Sequence, residues 1–210
     1  MTRSFETVAG AKRIKKRLFI PKLLFWPLLA FALVSQSVYI EGGFWDTTLE
    51  VLSFLVLLVA SMGRAWATAY ISGRKTVELV TDGPYSITRN PLYFFSFLGY
   101  VGAGLAFEKL IVALAFCITF FLTHWPTIRA EEFKLREKFG ERYDTYSKRV
   151  PRFVPRIQGF TIPELVTFKA TIFNRAFFDC SLIMLVFVLA HLIEYGQNSG
   201  VFPILIRNVP

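Results

Sequence analysis

Long apolar stretches constrain the fold of this sequence more than any other feature. A helix needs about 20 mostly apolar residues to cross a bilayer. Two stretches clearly reach that length, from Leu18 to Ile40 and from Thr47 to Ile71. The short link between them, Glu41 to Asp46, predicts a helical hairpin. Bases precede the first stretch without a small-residue cleavage site after it, which favours a retained membrane helix over a removable signal.

Three further apolar stretches follow, from Leu92 to Phe107, from Leu110 to Ile128 and from Thr171 to Tyr195. The first of the three is short and rich in glycine, which favours close packing against a neighbouring helix. Its glycines are Gly99, Gly102 and Gly104. We therefore predict an all-α, polytopic membrane helical bundle with about five transmembrane helices.

The distribution of charge supports this prediction and gives an orientation. Hydrophobic residues make up 54% of the chain and charged residues only 19%, and the charges are confined to a few stretches, whereas a soluble domain would scatter them along every helix. The net charge of +9 could indicate nucleic acid, but the bases flank the apolar stretches, as in proteins that contact membrane lipids. We expect a multi-pass protein with a cytoplasmic amino terminus, and the compact, disulfide-free chain suits a bacterial inner membrane.

The predicted organisation is a basic cytoplasmic arm (1–17), a membrane core (18–170) and an additional carboxyl-terminal helix with a tail (171–210). Cys117 and Cys180 lie within apolar runs, where they act as small hydrophobic residues rather than a disulfide. His124 and His191 are isolated in the sequence, so we predict no metal site.

One substantial polar region separates the last two predicted spans. Its first part predicts an amphipathic helix on the cytoplasmic surface, because one stripe recurs at three- and four-residue steps. The stripe is Glu132, Leu135, Phe139, Tyr143 and Tyr146. Gly140 is a candidate break in this helix, and Pro151 and Pro155 predict an extended segment after it.

Two clusters in these polar regions could carry chemistry, although each has a simpler interpretation. Asp82 to Tyr93 could be only a turn and a helix start, with Asn90 as cap and Pro91 in the first turn. Glu131 and Glu132 could simply begin a helix, and the basic run after Tyr146 could contact lipid headgroups. Local chemistry leaves these alternatives open.

The order of short motifs in both clusters resembles the isoprenylcysteine carboxyl methyltransferase and phospholipid methyltransferase superfamily. Each motif alone is weak, but five in order with matching intervals over residues 47–155 are specific. The motifs are Gly83 to Tyr85, Arg89 to Tyr93, Glu131 with Glu132, Phe139 to Tyr146, and Arg149 to Pro155. One departure is Asn90, where many relatives have histidine.

The resemblance implies an S-adenosylmethionine-dependent methyltransferase whose pocket opens sideways to the bilayer for a lipophilic acceptor. It implies two catalytic candidates, Arg149, which would position the acceptor, and Glu132. The implied cofactor-binding residues are Tyr85, Arg89, Asn90, Tyr93, Glu131, Glu132, Tyr146, Val150 and Pro151. Of these, the two glutamates would contact the amino-acid end of the cofactor, and the Tyr146 to Pro151 segment would surround its adenosine.

The residue types in the two clusters fit this chemistry. A zwitterionic sulfonium cofactor needs an acid, a cation or amide, and aromatic faces. A carboxylate or thiol acceptor, such as an isoprenoid-like molecule, is favoured over a phospholipid amine, because an amine needs a general base and neither histidine is well placed. Arg64, inside the second span, should face a partner or a wet cavity, or else snorkel to the interface.

Three alternatives stay open at this point. A phospholipid N-methyltransferase belongs to the same superfamily. A sterol-type membrane reductase would bind NADPH phosphates with the basic run from Lys148 to Arg156. A scaffold or transporter subunit would dock a cytosolic partner on the polar segment, and it would tolerate the loss of Glu132 and Arg149.

Overall fold

Seven helices and one pair of short strands make up the part of the chain that the computed structural model describes, residues 26–74 and 77–209. In chain order they are α1 (residues 26–34), β1 (Ser35–Ser37), α2 (Phe44–Ile71), α3 (Pro84–Ile87), α4 (Pro91–Leu105), α5 (Leu110–Phe139), α6 (Glu141–Arg149), α7 (Ala170–Asn198) and β2 (Ile206–Val209). The predicted basic arm, 1–17, and the start of the first predicted span lie outside the described residues.

Three of the described helices, α2, α5 and α7, are long and apolar enough to cross a membrane. The fourth apolar helix, α4, has only 15 residues, which gives a length of about 22 Å against a hydrocarbon core of about 30 Å. The prediction of a helical membrane protein is confirmed. The number of spans is not fixed by these helices, because α4 is short and α1 begins at the edge of the described residues.

Glycines bring α4 into close contact with α2 and α5, as the sequence predicts. A Cβ atom added to Gly102 would lie 2.8 Å from Cγ of Leu57 on α2, and one added to Gly104 would lie 2.4 Å from Cα of Ala113 on α5. The absence of a side chain therefore sets how closely these helices approach each other.

The helix α7 packs against α2, and Ser61 Oγ donates a hydrogen bond of 2.8 Å to the carbonyl oxygen of Cys180. The apolar core of the bundle contains residues from five helices. Its buried members are Ala32, Leu57, Ala103, Ala106, Phe107, Val112, Phe116 and Ala190.

The helix α5 is longer than predicted. The apolar stretch ends at Ile128, but the helix continues to Phe139, so the first part of the polar region is a direct extension of the span. A helix of 30 residues is about 45 Å long and outreaches the bilayer core. The chain turns at Gly140, which has a φ of 52°, and α6 begins after it. The predicted break is confirmed, and α6 ends at Arg149 as expected, with Val150 extended and a non-helical segment after it.

The predicted first span ends earlier than expected. The described helix ends at residue 34, and Ser35 to Ser37 form β1, which pairs in parallel with β2 near the carboxyl terminus. The prediction that the span reaches Ile40 is therefore wrong. The polar side chains in this segment end the apolar run, and the backbone finds its partners in β2 instead of in a helix.

Candidate functional site

The two polar clusters of the sequence lie against each other at one end of the bundle. The backbone N–H of Arg89 donates to the carbonyl oxygen of Pro151 at 2.9 Å, and that of Arg156 donates to Ile87 at 2.9 Å. The phenol of Tyr146 donates to the carbonyl oxygen of Tyr85 at 2.7 Å. The extended segment after α6 is thus fixed to the turn that precedes α4.

Glu132, on α5, is the polar centre of this arrangement and is only 7% exposed. Its Oε1 accepts a hydrogen bond from Asn90 Nδ2 at 2.9 Å, and its Oε2 accepts one from Arg152 Nε at 2.9 Å. Arg89 completes the group, with Nε 3.5 Å from Oε1. Two guanidinium groups therefore compensate one buried carboxylate, which a buried charge requires.

Asn90 holds the position before α4, but its side chain does not cap the helix. Instead, Nδ2 donates to Glu132 and, at 2.9 Å, to the carbonyl oxygen of Arg152. The expectation that Asn90 acts as a helix cap is wrong, because the buried carboxylate recruits its amide.

A cavity of about 310 Å³ lies beside this group, between the start of α4 and the polar part of α5. Six of the predicted cofactor-binding residues line it, from four separate elements of the sequence. They are Tyr85, Arg89, Asn90, Tyr93, Glu131 and Tyr146. The cavity size falls at the lower end of the range of small-molecule sites.

Four predicted site residues do not line the cavity. Glu132 lies behind Arg89 and Asn90 and orients both. Val150 and Pro151 contribute backbone contacts. The N–H of Val150 donates to the carbonyl oxygen of Tyr146 at the end of α6, and the carbonyl oxygen of Pro151 accepts from the N–H of Arg89. Arg149, the last residue of α6, is exposed, and its carbonyl oxygen accepts from Arg156 Nη2 at 2.6 Å.

Comparisons with known proteins place this geometry in a family. Residues 50–142 match the phospholipid methyltransferase family. The chain is 34% identical over 164 residues to the nickel-cobalt-cadmium resistance protein of Alcaligenes xylosoxydans xylosoxydans, covering 76% of each chain. It is 34% identical over 162 residues to the cobalt-zinc-cadmium resistance protein of Cupriavidus metallidurans, covering 75% of this chain and 74% of that one. It is also 36% identical over 78 residues to protein-S-isoprenylcysteine O-methyltransferase B of Arabidopsis thaliana, covering 37% of this chain and 40% of that one.

The chain belongs to the phospholipid and isoprenylcysteine methyltransferase family. It is therefore a methyltransferase, and its apolar helices make it a membrane methyltransferase. Methyltransferases of this family generally use S-adenosylmethionine and act on lipid or prenylated substrates. No solved structure matches the chain.

The cavity is also lined by residues that are not among the predicted site residues. Lys134, Leu135 and Lys138 line it together with Glu131. These positions are three, four and seven residues after Glu131, so they share one face of α5, and helical spacing could have identified them. Arg152, which pairs with Glu132, lies in the predicted motif from Arg149 to Pro155 but is not among the predicted site residues.

The phenols around the site are held in their neutral form. Burial raises the pKa of Tyr85 and of Tyr146 well above the ordinary value, and a neighbouring tyrosine adds to the effect in each case. Burial and the nearby carboxylate of Glu132 raise the pKa of Tyr143 to about 12. These groups can therefore act as hydrogen-bond donors but not as bases at neutral pH.

Tyr85 and Arg89 line the cavity, and a phenol and a guanidinium are suitable donors for a carboxylate or a hydroxyl group. Tyr85 Oη and Arg89 Nε themselves are fully buried without a hydrogen-bond partner, and Arg89 Nε faces the Glu132 carboxylate at 3.5 Å.

A second cavity of about 300 Å³ lies deeper in the bundle, between α2, α4, α5 and α7. Its polar lining includes Arg64, Ser96 and His124. Arg64 donates to Ser96 Oγ, and Arg64 Nε is buried without a partner. Of the two alternatives for Arg64, a partner or cavity and the membrane interface, the structure shows the first. The ring of Tyr93, in the first cavity, lies 6.0 Å from the ring of His124, so the two cavities are neighbours.

Proposed function

We propose that this membrane methyltransferase binds S-adenosylmethionine in the first cavity and transfers its methyl group to a lipophilic acceptor. One observation carries the proposal: six residues predicted from the sequence line a single cavity, and they include a guanidinium, a carboxylate and three phenols. When bound, S-adenosylmethionine supplies an electrophilic methyl carbon on a sulfonium sulfur.

Each end of the cofactor has a suitable group in the cavity wall. Arg89 would hold the carboxylate, and Glu131 would hold the ammonium group. The tyrosine rings, Tyr93 among them, would face the adenine and the sulfonium. Glu132 would act through Arg89 and Asn90 by fixing their positions, because it lies behind both. The residues of this site would therefore bind and align the reactants rather than shuttle a proton.

The second cavity is our candidate for the head of the acceptor. It adjoins the first cavity at Tyr93 and His124, and the guanidinium of Arg64 lines it together with one carboxylate, Asp179, and mostly apolar side chains. A carboxylate is already ionised at neutral pH and pairs well with a guanidinium. We therefore favour a carboxylate on an isoprenoid-like molecule, with a thiol as the next candidate and a phospholipid amine as the alternative.

Acceptor positioning can be tested by comparing Arg64 with Arg149, which the family resemblance assigns to this role. Arg64→Gln should raise KM for a carboxylate acceptor about tenfold or more, the scale of one charge-assisted contact, and leave cofactor affinity unchanged. Arg149→Gln, at the exposed end of α6, should raise KM for the same acceptor by less. The opposite ranking would move the acceptor site from the second cavity to the surface beside α6.

The cofactor proposal is tested by calorimetric titration of the detergent-purified chain with S-adenosylhomocysteine. We expect one binding site, loss of binding in Arg89→Gln, and normal binding in Arg207→Gln, which alters an exposed arginine in β2. A parallel titration with NADPH addresses the reductase alternative. Heat with NADPH and none with S-adenosylhomocysteine would overturn the proposal.

We also propose five membrane crossings with a cytoplasmic amino terminus in a bacterial inner membrane. The bases of residues 72–90 and 129–169 support this orientation through the positive-inside rule. Reporter fusions after residues 77 and 160 should report the cytoplasm, and a fusion after residue 199 should report the opposite side. A cytoplasmic signal at residue 199 would contradict it.

Two relatives are named for resistance to divalent transition metals. On that basis we propose that the methylation reaction contributes to metal tolerance in the cell. A strain without the gene should grow more poorly on nickel, cobalt or cadmium, and Arg89→Gln should fail to restore growth. Full restoration by Arg89→Gln would separate tolerance from methyl transfer.

A further inference from the structure

A further polar cluster, separate from the two described above, lies at the end of the bundle opposite the proposed cofactor cavity. It forms where α2 begins, where the chain passes from α4 to α5, and where α7 ends. Glu108, His191 and Glu194 each direct one nitrogen or oxygen atom to a common point, and these atoms lie within 4.8 Å of one another. His191 and Glu194 are three residues apart and share one face of α7.

The spacing of these three groups is close to that of ligands around one metal ion. Nitrogen and oxygen ligands lie about 2.1 Å from Zn²⁺, so two of them on one ion are at most about 4.2 Å apart. The three ligand atoms would have to move closer to one another by about half an ångström. Side-chain rotation suffices for this, since His191 and Glu194 are partly exposed.

The cluster carries more negative charge than its described neighbours compensate. Asp46 and Glu50 line the same cavity of about 630 Å³ as the three groups above. Glu108 is only 5% exposed. Lys109, the next residue, donates from its Nζ to the carbonyl oxygen of Ala32 at 3.2 Å, and its charge also acts on Glu108 and Glu194, so it compensates part of the negative charge. A cation in the cavity would compensate the carboxylates.

The imidazole of His191 is oriented as in many metal sites. Its Nδ1 lies 3.1 Å from the carbonyl oxygen of Phe187. Its Nε2 lies 2.8 Å from Glu50 Oε1, a contact that a proton between the two atoms satisfies, and a metal ion on Nε2 would take the place of that proton. Histidine ligands in metal sites commonly donate the other ring nitrogen to a carbonyl oxygen, as here.

We propose that Glu108, His191 and Glu194 bind a divalent transition-metal ion, with Glu50 or Asp46 as a further ligand. One imidazole with several carboxylates suits Zn²⁺ or Co²⁺ better than Mg²⁺, which prefers oxygen ligands alone. The sequence reasoning did not predict this site because Glu108 lies more than 80 positions before the other two ligands. The site is separate from the proposed cofactor cavity and does not depend on methyl transfer.

The test is a titration of the full chain, purified in detergent and stripped with a chelator, with Co²⁺, Zn²⁺ and Mg²⁺. We expect one equivalent of Co²⁺ or Zn²⁺ per chain, a higher Tm with the ion, and little response to Mg²⁺. His191→Gln and Glu194→Gln should each weaken binding at least tenfold. His124→Gln and Glu137→Gln, a histidine and an exposed carboxylate elsewhere, should bind normally.

Two outcomes would overturn the metal site. One is the absence of binding by wild-type protein that still binds S-adenosylhomocysteine, which would mean that protons alone compensate the cluster. The other is equal binding by the wild type and by both α7 variants, provided that their Tm without metal is unchanged. Because cofactor binding is measured on the same samples, failure of the metal site is distinguishable from failure of the proposed methyltransferase site.

Discussion

The amide of Asn90 donates a hydrogen bond of 2.9 Å to the carboxylate of Glu132, across 42 positions of the chain. This contact joins the start of α4 to the polar part of α5. It also places the two halves of the family motif on one wall, beside the cavity that we assign to the cofactor.

Replacing Glu132 with glutamine should damage both stability and cofactor binding. The change removes the charge that compensates Arg89, whose side chain is only 12% exposed. Breaking a buried ion pair costs about 3 kcal/mol or more. We expect a lower Tm and at least tenfold weaker binding of S-adenosylhomocysteine, measured by thermal unfolding and calorimetry.

The matched control for this change is Glu137→Gln, an exposed carboxylate on the same helix. Its Tm and its affinity should equal those of the wild type. A Glu132→Gln protein with unchanged Tm would show that the buried pair does not hold the site together.

Two tyrosines have buried hydroxyls without a partner, and replacing each one separates an effect on cofactor binding from an effect on folding. Tyr85 lines the cavity and Tyr143 does not, but both hydroxyls lack a partner. Tyr85→Phe should weaken S-adenosylhomocysteine binding by about three- to tenfold, because one hydrogen bond contributes about 1 kcal/mol. Tyr143→Phe should leave binding unchanged. Equal affinities in both variants would exclude the Tyr85 hydroxyl as a cofactor contact.

Tyr143 should also make the free energy of unfolding fall at high pH. Its pKa is raised to about 12 in the folded protein, mainly by burial, from 10.0. The neutral phenol is favoured by the fold, so no stability is lost below about pH 10. Between pH 10 and 12 the unfolded state loses its proton first, and the free energy of unfolding falls. Chemical denaturation across this range should show a shallower fall in Tyr143→Phe, and an identical fall would contradict the assignment.

The close contact of α4 with α5 depends on Gly104. A Cβ atom there would lie 2.4 Å from the Cα of Ala113, and backbone cannot move aside as a side-chain end can. Gly104→Ala should lower the free energy of unfolding by about 1–3 kcal/mol. Gly99→Ala is the matched control, because its nearest atom is at 3.8 Å, and its Tm should match or exceed that of the wild type.

Local patterns predicted much of this structure, and the failures have physical reasons. The glycines of α4 and the break at Gly140 could be read from the sequence because each acts through its own backbone. The end of the first span could not, since β1 forms only by pairing with β2, about 170 residues away. The side-chain role of Asn90 was also hidden, because it depends on a distant carboxylate.

The candidate site, too, could be predicted only where neighbouring residues in the sequence mark it. Motif order indicated which residues come together, and six of them line one cavity. It did not indicate that Glu132 would lie behind the wall, because the motif carries no information on the direction of a side chain. Nor did it reveal the cluster around His191, whose members belong to no common motif.

The most direct test of the central claim is an experimental structure of the chain with S-adenosylhomocysteine in a lipid environment. We expect ligand density in the cavity between the start of α4 and the polar part of α5, within hydrogen-bond distance of Arg89 and Glu131. Density for the nucleoside at any other place, with this cavity filled by protein side chains, would contradict it.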